Sequence, residues 1–324
     1  MRHLTLAALT AATVTAGNAG AETLKMATIE PSLGQAITMA TFANVVNSNQ
    51  GAVDIEVAGG GAATVHQLET ARGNLDMFMV SPTIYNFFSK GVAMYQNEAE
   101  APELARNVAL LMWFPYGQYH YAVRGESDIE VLDDIEGTTV FLGPAGGGAF
   151  NASAGWIEAT TGLVVGEDYE AITANWATGF QAFQDGKVDM YVNGCIDPCQ
   201  QFIQFTETET IRFIGPEDHS GEAVEKFLGT FRYLAEVPAG LYENQVNEAP
   251  VMSNDTAVGI GVRADLDEDT VYQVTKAFWD NLDSITSDAP WAKALNLEFA
   301  VQSLAGMPLH PGAARYYREI GALN

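Results

Sequence analysis

Basic residues are scarce in this chain. Fifteen Lys and Arg stand against 41 Asp and Glu in 324 residues, for a net charge of -26 at pH 7. A surface so acidic repels nucleic acid and anionic membranes, which excludes both as principal partners. Long apolar runs are missing too. Beyond the N-terminal segment no stretch reaches the ~18 consecutive apolar residues that a spanning helix requires, so no direct membrane insertion is expected. The catalytic signatures HExxH, GxSxG and GxGxxG are absent. The histidines (His3, His66, His120, His219 and His310) are scattered, and no nucleophile–base set can be named. These absences point to a ligand binder rather than an enzyme, with no cofactor called for.

Only two cysteines occur, Cys195 and Cys199, both within NGCIDPCQQF. The spacing brings the thiols near each other on one helical turn. In an exported protein it favours a short-loop disulfide over two reduced thiols. Cys-x3-Cys with no histidine nearby in sequence is half a metal site at best, so no metal is expected. Export itself is read from the N-terminus: Arg2 and His3, an Ala- and Leu-rich middle, and the small-residue end Ala19-Gly20-Ala21. That pattern predicts a signal peptide over 1–21, cleaved before Glu22, and a soluble product.

What the chain does have is a glycine-rich turn between a strand and a helix, VFLGPAGGGAFNASAGWIEATTG, Val140 to Gly162. Strand, glycine turn and helix start together aim backbone N–H groups at one point, which suits an anion. There is no lysine of the ATP-type phosphate loop, and the contiguous Gly146, Gly147 and Gly148 break the dinucleotide spacing. A tight turn that needs glycines and a site for a carboxylate-sized anion both fit. In so acidic a chain, an anionic ligand has to be held by short hydrogen bonds rather than long-range attraction.

Strand–helix alternation through Leu24–Ile29, a helix at 35–47, Val53–Ala58, a helix at 64–72 with Val65 and Leu68 inward, and Leu75–Val80 predicts an open α/β unit with parallel strands. Ligands in such sheets bind beyond the carboxyl ends of the strands. That rule selects Glu30, Ser32, Gly60, Ser81 and Thr83. A carboxylate at the Glu30 position suits an amine or hydroxyl on the ligand, or a solvated turn. Ser81 before Pro82 reads as a helix cap. A second unit repeats the design, with weak strand character over Tyr169–Asn175, Trp176 at its end, Thr178 as a helix cap, and Asn193 ending the strand that follows. Gln118–Arg124 and Tyr233–Gly240 read as the two crossings, which allows a hinge. The expected organisation is lobe I from 22–117 and 241–324, and lobe II from 118–240 including the crossing strands.

Several blocks, in order and over nearly the whole mature chain, resemble the TAXI-type solute-binding proteins of TRAP transporters. They are GNLDMFMVSPT (Gly73–Thr83), DIEGTTVFLGPAGGGAFNASAGWIEATTGL (Asp134–Leu163), FQDGKVDMYVNG (Phe183–Gly194), VPAGLYENQ (Val237–Gln245) and LHPGAARYYREIG (Leu309–Gly321). The resemblance implies a monomeric periplasmic receptor of two α/β lobes, type II-like, that closes at a hinge. It would hand a small carboxylate, such as an amino acid, dicarboxylate or 2-oxo acid of the glutamate or 2-oxoglutarate kind, to TRAP membrane permease subunits. It also implies that Gly146, Gly147, Gly148, Ala149 and Phe150 form the carboxylate loop, with Ser81 to Thr83, Trp176 and Asn193 around it. Two departures stand out. EPSLGQAI (Glu30–Ile37) replaces a Gly- and Tyr-rich block, and GGGA replaces a hydroxyl-bearing GSGT. The competing expectation is an exported enzyme that acts on a small organic acid in the same cleft.

Overall fold

The computed structural model describes residues 21–324. The expected export signal over 1–21 lies outside the described residues except for Ala21. The strands are β1 (Glu22–Thr28), β2 (Val53–Gly59), β3 (Met77–Val80), β4 (Val108–Pro115), β5 (Tyr119–Arg124), β6 (Thr139–Phe141), β7 (Glu170–Ala171), β8 (Met190–Gly194), β9 (Ile211–Phe213), β10 (Arg232–Val237) and β11 (Val251–Arg263). They form two sheets. The first has the order β10-β11-β3-β1-β2, with β4 also on β11, and the second has the order β7-β6-β8-β5-β9. Helices cover both, as expected of an α/β protein with two lobes.

Each sheet is mixed rather than parallel. β1 runs parallel to β2 and β3, but β11 is antiparallel to β3 and β4. Likewise β6 is parallel to β7 and β8, whereas β5 is antiparallel to β8 and β9. The strand–helix–strand segments follow the parallel rule, and the long-range returns add the antiparallel strands. β4 (VALLMWFP) is buried from Val108 through Phe114, as a continuous apolar run covered on both faces should be. Helices Gly34–Asn49 and Glu268–Trp279 meet through Phe42 and Phe278, whose ring centroids are 4.8 Å apart. The second helix turns Val271, Val274 and Phe278 inward and is capped by Asp267, which accepts from the Thr270 N–H at 2.9 Å.

Strand β11 belongs to more than one neighbourhood. Its first half, Val251–Thr256, pairs with β10, and its second half slots between β3 and β4. The first half is also tied to β5, because Ser253 Oγ donates to the Tyr119 carbonyl and Tyr121 OH donates to Asn254 Oδ1 at 2.8 Å. The other passage between sheets is the short link from β4 to β5. Gly117 there has φ +94°, and a Cβ on it would come 1.9 Å from the Cys195 carbonyl carbon. Only glycine fits so close an approach in that conformation.

Three local expectations need correction. Val65 is 54% exposed, and the inward face of its helix, Ala63–Ala71, carries His66, Gln67 and Thr70 instead. Polar atoms are thus buried where an apolar stripe was expected. Thr178 is not a cap: Asn175 is, accepting the Thr178 N–H at 2.8 Å, and the helix begins at Trp176. The strand expected over 169–175 is reduced to Glu170–Ala171. Asn193 and Gly194 end β8, as expected.

Candidate ligand-binding site

Between the carboxyl ends of the strands of both sheets lies a cavity of about 300 Å³. From the first sheet come Ile29 and Glu30 after β1, Gly61 to Thr64 after β2, and Ser81, Thr83 and Ile84 after β3. From the second come Gly147 to Ala149 after β6, and Asn175 and Trp176 after β7. Tyr116, Tyr119, Thr256 and Val258 line the side where the chain passes between sheets. The walls are largely apolar and aromatic, with a few polar groups. That is the usual make-up of a small-molecule site.

Four helices start at this cavity: Ala63–Ala71, Pro82–Lys90, Gly148–Thr161 and Trp176–Gln184. Two have side-chain caps, with Ser81 Oγ accepting the Ile84 N–H at 3.2 Å and Asn175 capping the last. The other two begin at Ala62 and Gly147, which provide none. The N–H groups of Ala63 and Thr64, and those of Gly148 and Ala149, have no intrahelical acceptor, and the helix dipole adds partial positive charge at both helix starts. Gly147 N–H is engaged by the Pro144 carbonyl at 3.0 Å, so Gly148 and Ala149 supply the free donors of the glycine turn. A Cβ on Gly148 would meet Ile84 Cδ1 at 3.2 Å, so the helix starts below the two sheets already touch there.

Arg232, the first residue of β10, puts a full positive charge on this cavity. Its side chain is largely removed from water, and no carboxylate among the described residues lies within 4 Å of it. Its Nη1 donates to Thr230 Oγ1, its Nε is buried without a partner, and its guanidinium carbon lies 4.4 Å from the Phe227 ring centroid. Desolvation holds its pKa below the ordinary arginine range, though the group stays charged at neutral pH. Tyr116 and Tyr119 stack beside the cavity with centroids 5.0 Å apart, and burial pushes both hydroxyls up, so they are neutral hydrogen-bonding groups. An unpaired buried cation is costly unless an anion joins it.

Of the residues singled out in the sequence, Glu30, Ser81, Thr83, Gly147, Gly148, Ala149 and Trp176 line the cavity. Gly60, Gly146 and Phe150 do not, although each adjoins a residue that does. Ser32 and Asn193 line a separate, smaller cavity beside Cys195 and Cys199, which are joined as a disulfide. Ser81 is both cap and cavity wall. Trp176 is a wall too, T-shaped against Phe141. Sequence reasoning missed Arg232, Tyr116, Tyr119 and Thr256. The available signal was one arginine among few, set between Phe231 and Tyr233 in a segment read only as a crossing.

A protein-family model matches residues 32–321. The chain belongs to the NMT1-like family. Among solved structures, this NMT1-like chain is similar to the alkanesulfonate-binding protein SsuA from Xanthomonas axonopodis pv. citri bound to MOPS. The two are 14% identical, the match covers 94% of this chain and 86% of that one, and the TM-score is 0.52. It is also similar to a TRAP periplasmic solute-binding protein from Sulfitobacter sp. NAS-14.1 with bound β-D-galacturonate, at 12% identity, 92% and 94% coverage and TM-score 0.48. The first of these likenesses shows the two-lobed α/β fold of solute-binding proteins. No helix among the described residues is long and apolar enough to cross a membrane.

Proposed function

We propose that this NMT1-like chain is a periplasmic solute-binding receptor of the TAXI type, which closes its lobes over a small organic anion and delivers it to a TRAP permease. The observation that carries the reading is Arg232, a cation facing the cavity without a counter-ion among the described residues. An anionic head group would complete it, and the uncapped helix starts at Ala62 and Gly147 would add backbone donors. Glu30 on the same cavity disfavours a second negative charge and favours an amine or hydroxyl on the ligand. A monoanionic amino or hydroxy acid therefore fits better than a dianion such as 2-oxoglutarate. Cavity walls contributed by both sheets favour capture by lobe closure, with lobe I taken as 22–117 and 241–324 and the passages at Gly117 and β11 as the hinge.

A receptor is also favoured over an enzyme, because no histidine or cysteine among the described residues lines this cavity and Ser81 Oγ is engaged as a helix cap. The test is a melting-temperature screen against amino acids, hydroxy acids, 2-oxo acids, dicarboxylates and short alkanesulfonates, on protein refolded to strip any bound ligand. A saturable upward shift with a monoanion, no turnover of that ligand, and its uptake by vesicles holding a TRAP permease are the expected results. A neutral sugar or a cation as the sole ligand would overturn the anion assignment.

A further inference from the structure

Away from the ligand cavity, four side chains of metal-ligand type converge. Cys195 comes directly after β8, Asp197 and Cys199 follow it, and His120 arrives from β5, where it sits opposite Asn193 of β8. One ligand atom from each lies within 4.8 Å of all the others, and the Cys195 and Cys199 Cα atoms are 5.7 Å apart. His120, Cys195 and Cys199 are buried.

The histidine geometry is the informative part. His120 Nδ1 lies 2.9 Å from the Gln118 carbonyl, which only accepts, so Nδ1 carries the proton. Nε2 then turns its lone pair between the Tyr242 hydroxyl at 3.2 Å, which can donate to it, and Asp197 Oδ1 at 3.0 Å, an oxygen that is buried with no hydrogen-bond donor. Two lone pairs at this distance repel unless a proton or a cation lies between them. A ring whose other nitrogen donates to a backbone carbonyl is the orientation that metal-bound histidines adopt. Gln118 also donates through Nε2 to the second oxygen of Asp197, which fixes that carboxylate. Phe202 and Phe213 flank the imidazole at 5.2 and 5.0 Å and keep it dry. A cavity of about 140 Å³, lined by both cysteines, gives access.

We propose that His120, Asp197, Cys195 and Cys199 form a zinc site gated by the disulfide. Thiol–disulfide exchange with a dithiol oxidises that dithiol to its own disulfide and leaves Cys195 and Cys199 as thiols. Zinc then displaces the two thiol protons and takes two thiolates, His120 Nε2 and one Asp197 oxygen. A tetrahedral zinc with bonds of about 2.0–2.3 Å sets its ligands about 3.3–3.8 Å apart, so the four groups need shifts of only about 1 Å. The site abuts both sheets: a Cβ on Gly34, at the start of a first-sheet helix, would lie 3.2 Å from Cys195 Cβ. Metal loading therefore acts where the lobes touch.

The test uses cobalt(II) as the probe on the full chain reduced with a phosphine, which becomes phosphine oxide and does not chelate the metal. Expected are one cobalt per chain with thiolate-to-metal charge transfer and tetrahedral d–d bands, displacement by zinc, and no uptake by the oxidised protein. His120→Ala and Asp197→Asn are each expected to weaken binding at least tenfold, and Cys199→Ser to remove most of the charge-transfer band. Circular dichroism checks each fold, and if His120→Ala does not fold, Asp197→Asn decides. Equal cobalt affinity in wild type and Asp197→Asn would mean an adventitious dithiol and would overturn the proposal. So would reduced protein that binds no more cobalt than oxidised protein.

Discussion

The guanidinium of Arg232 rests 4.4 Å from the centroid of the Phe227 ring, with its Nε buried and unpartnered. In a chain of net charge -26, counter-ions for an arginine are plentiful, yet none among the described residues lies within 4 Å of this one. The aromatic ring gives the cation a face to lie on without neutralising it. The charge is thus held at the cavity and left available.

Replacing Arg232 by Met is expected to weaken binding of the anionic ligand found by the screen about 10- to 100-fold, the usual scale for a charge-assisted hydrogen bond of ~1.5–3 kcal/mol. The ligand-free melting temperature is expected to hold or rise, because an uncompensated buried charge has been replaced by an apolar chain of similar reach. Calorimetry and thermal melting read the two effects separately. Undiminished affinity in Arg232→Met would remove Arg232 from the site.

Gly148 tests the opposite wall. It is the first residue of its helix, where leucine is a good helix former. Its Cβ direction meets Ile84 at 3.2 Å. Gly148→Leu is expected to leave circular dichroism unchanged while abolishing binding, because the added side chain occupies the space into which the lobes close. Ala at the same position should cost far less. Equal binding by the two variants would show that this contact does not limit the cavity.

How much of this was legible in the sequence follows from the range of each contact. The glycine turn and the strand ends at Glu30 and Ser81 are local features, and their residues could be read from punctuation alone. Arg232 could not, because β10 acquires its place only by pairing with β11, Arg232 opposite Thr256. The register of that pair depends on a strand that also packs against β3 and β4. His120 and Cys199 are 79 residues apart and meet only through β5–β8 pairing. The inward face of Ala63–Ala71 misled for a different reason. Three of its buried side chains, His66, Gln67 and Thr70, are polar, and periodicity of apolar residues has no means of registering them.

Asp255, on the half of β11 that pairs with β10, carries a prediction about pH. Burial raises its carboxyl from 3.8 to about 7, against the opposing backbone hydrogen bonds from Thr256 and Gly117. Between about pH 4 and 7 the folded chain therefore keeps a proton that the unfolded chain releases. Its contribution to stability falls as pH rises through that window and levels off above it. Asp255→Asn keeps an accepting oxygen and cannot ionise. The two proteins are expected to melt at similar temperatures near pH 4, with Asp255→Asn melting increasingly higher up to about pH 7 and by a constant margin at pH 8. Parallel melting curves across that range would show that Asp255 is charged throughout.

Gln35 joins the layers at the place where the chain first crosses. It lies at the start of helix Gly34–Asn49, is buried, and donates both Nε2 hydrogens across the boundary, to the Tyr116 carbonyl at 2.9 Å and the Gly194 carbonyl at 2.7 Å. Gln35→Met keeps the volume but leaves two carbonyls without these donors in a dry contact. A destabilisation of about 2–4 kcal/mol in urea unfolding is expected, the sum for two buried acceptors losing their partners. The slope of unfolding should be unchanged, because the folded surface is the same. Ligand affinity should drop as well, since the two carbonyls flank the passage between the sheets. A loss of stability with affinity intact would assign Gln35 to holding the fold alone and would separate this contact from lobe closure.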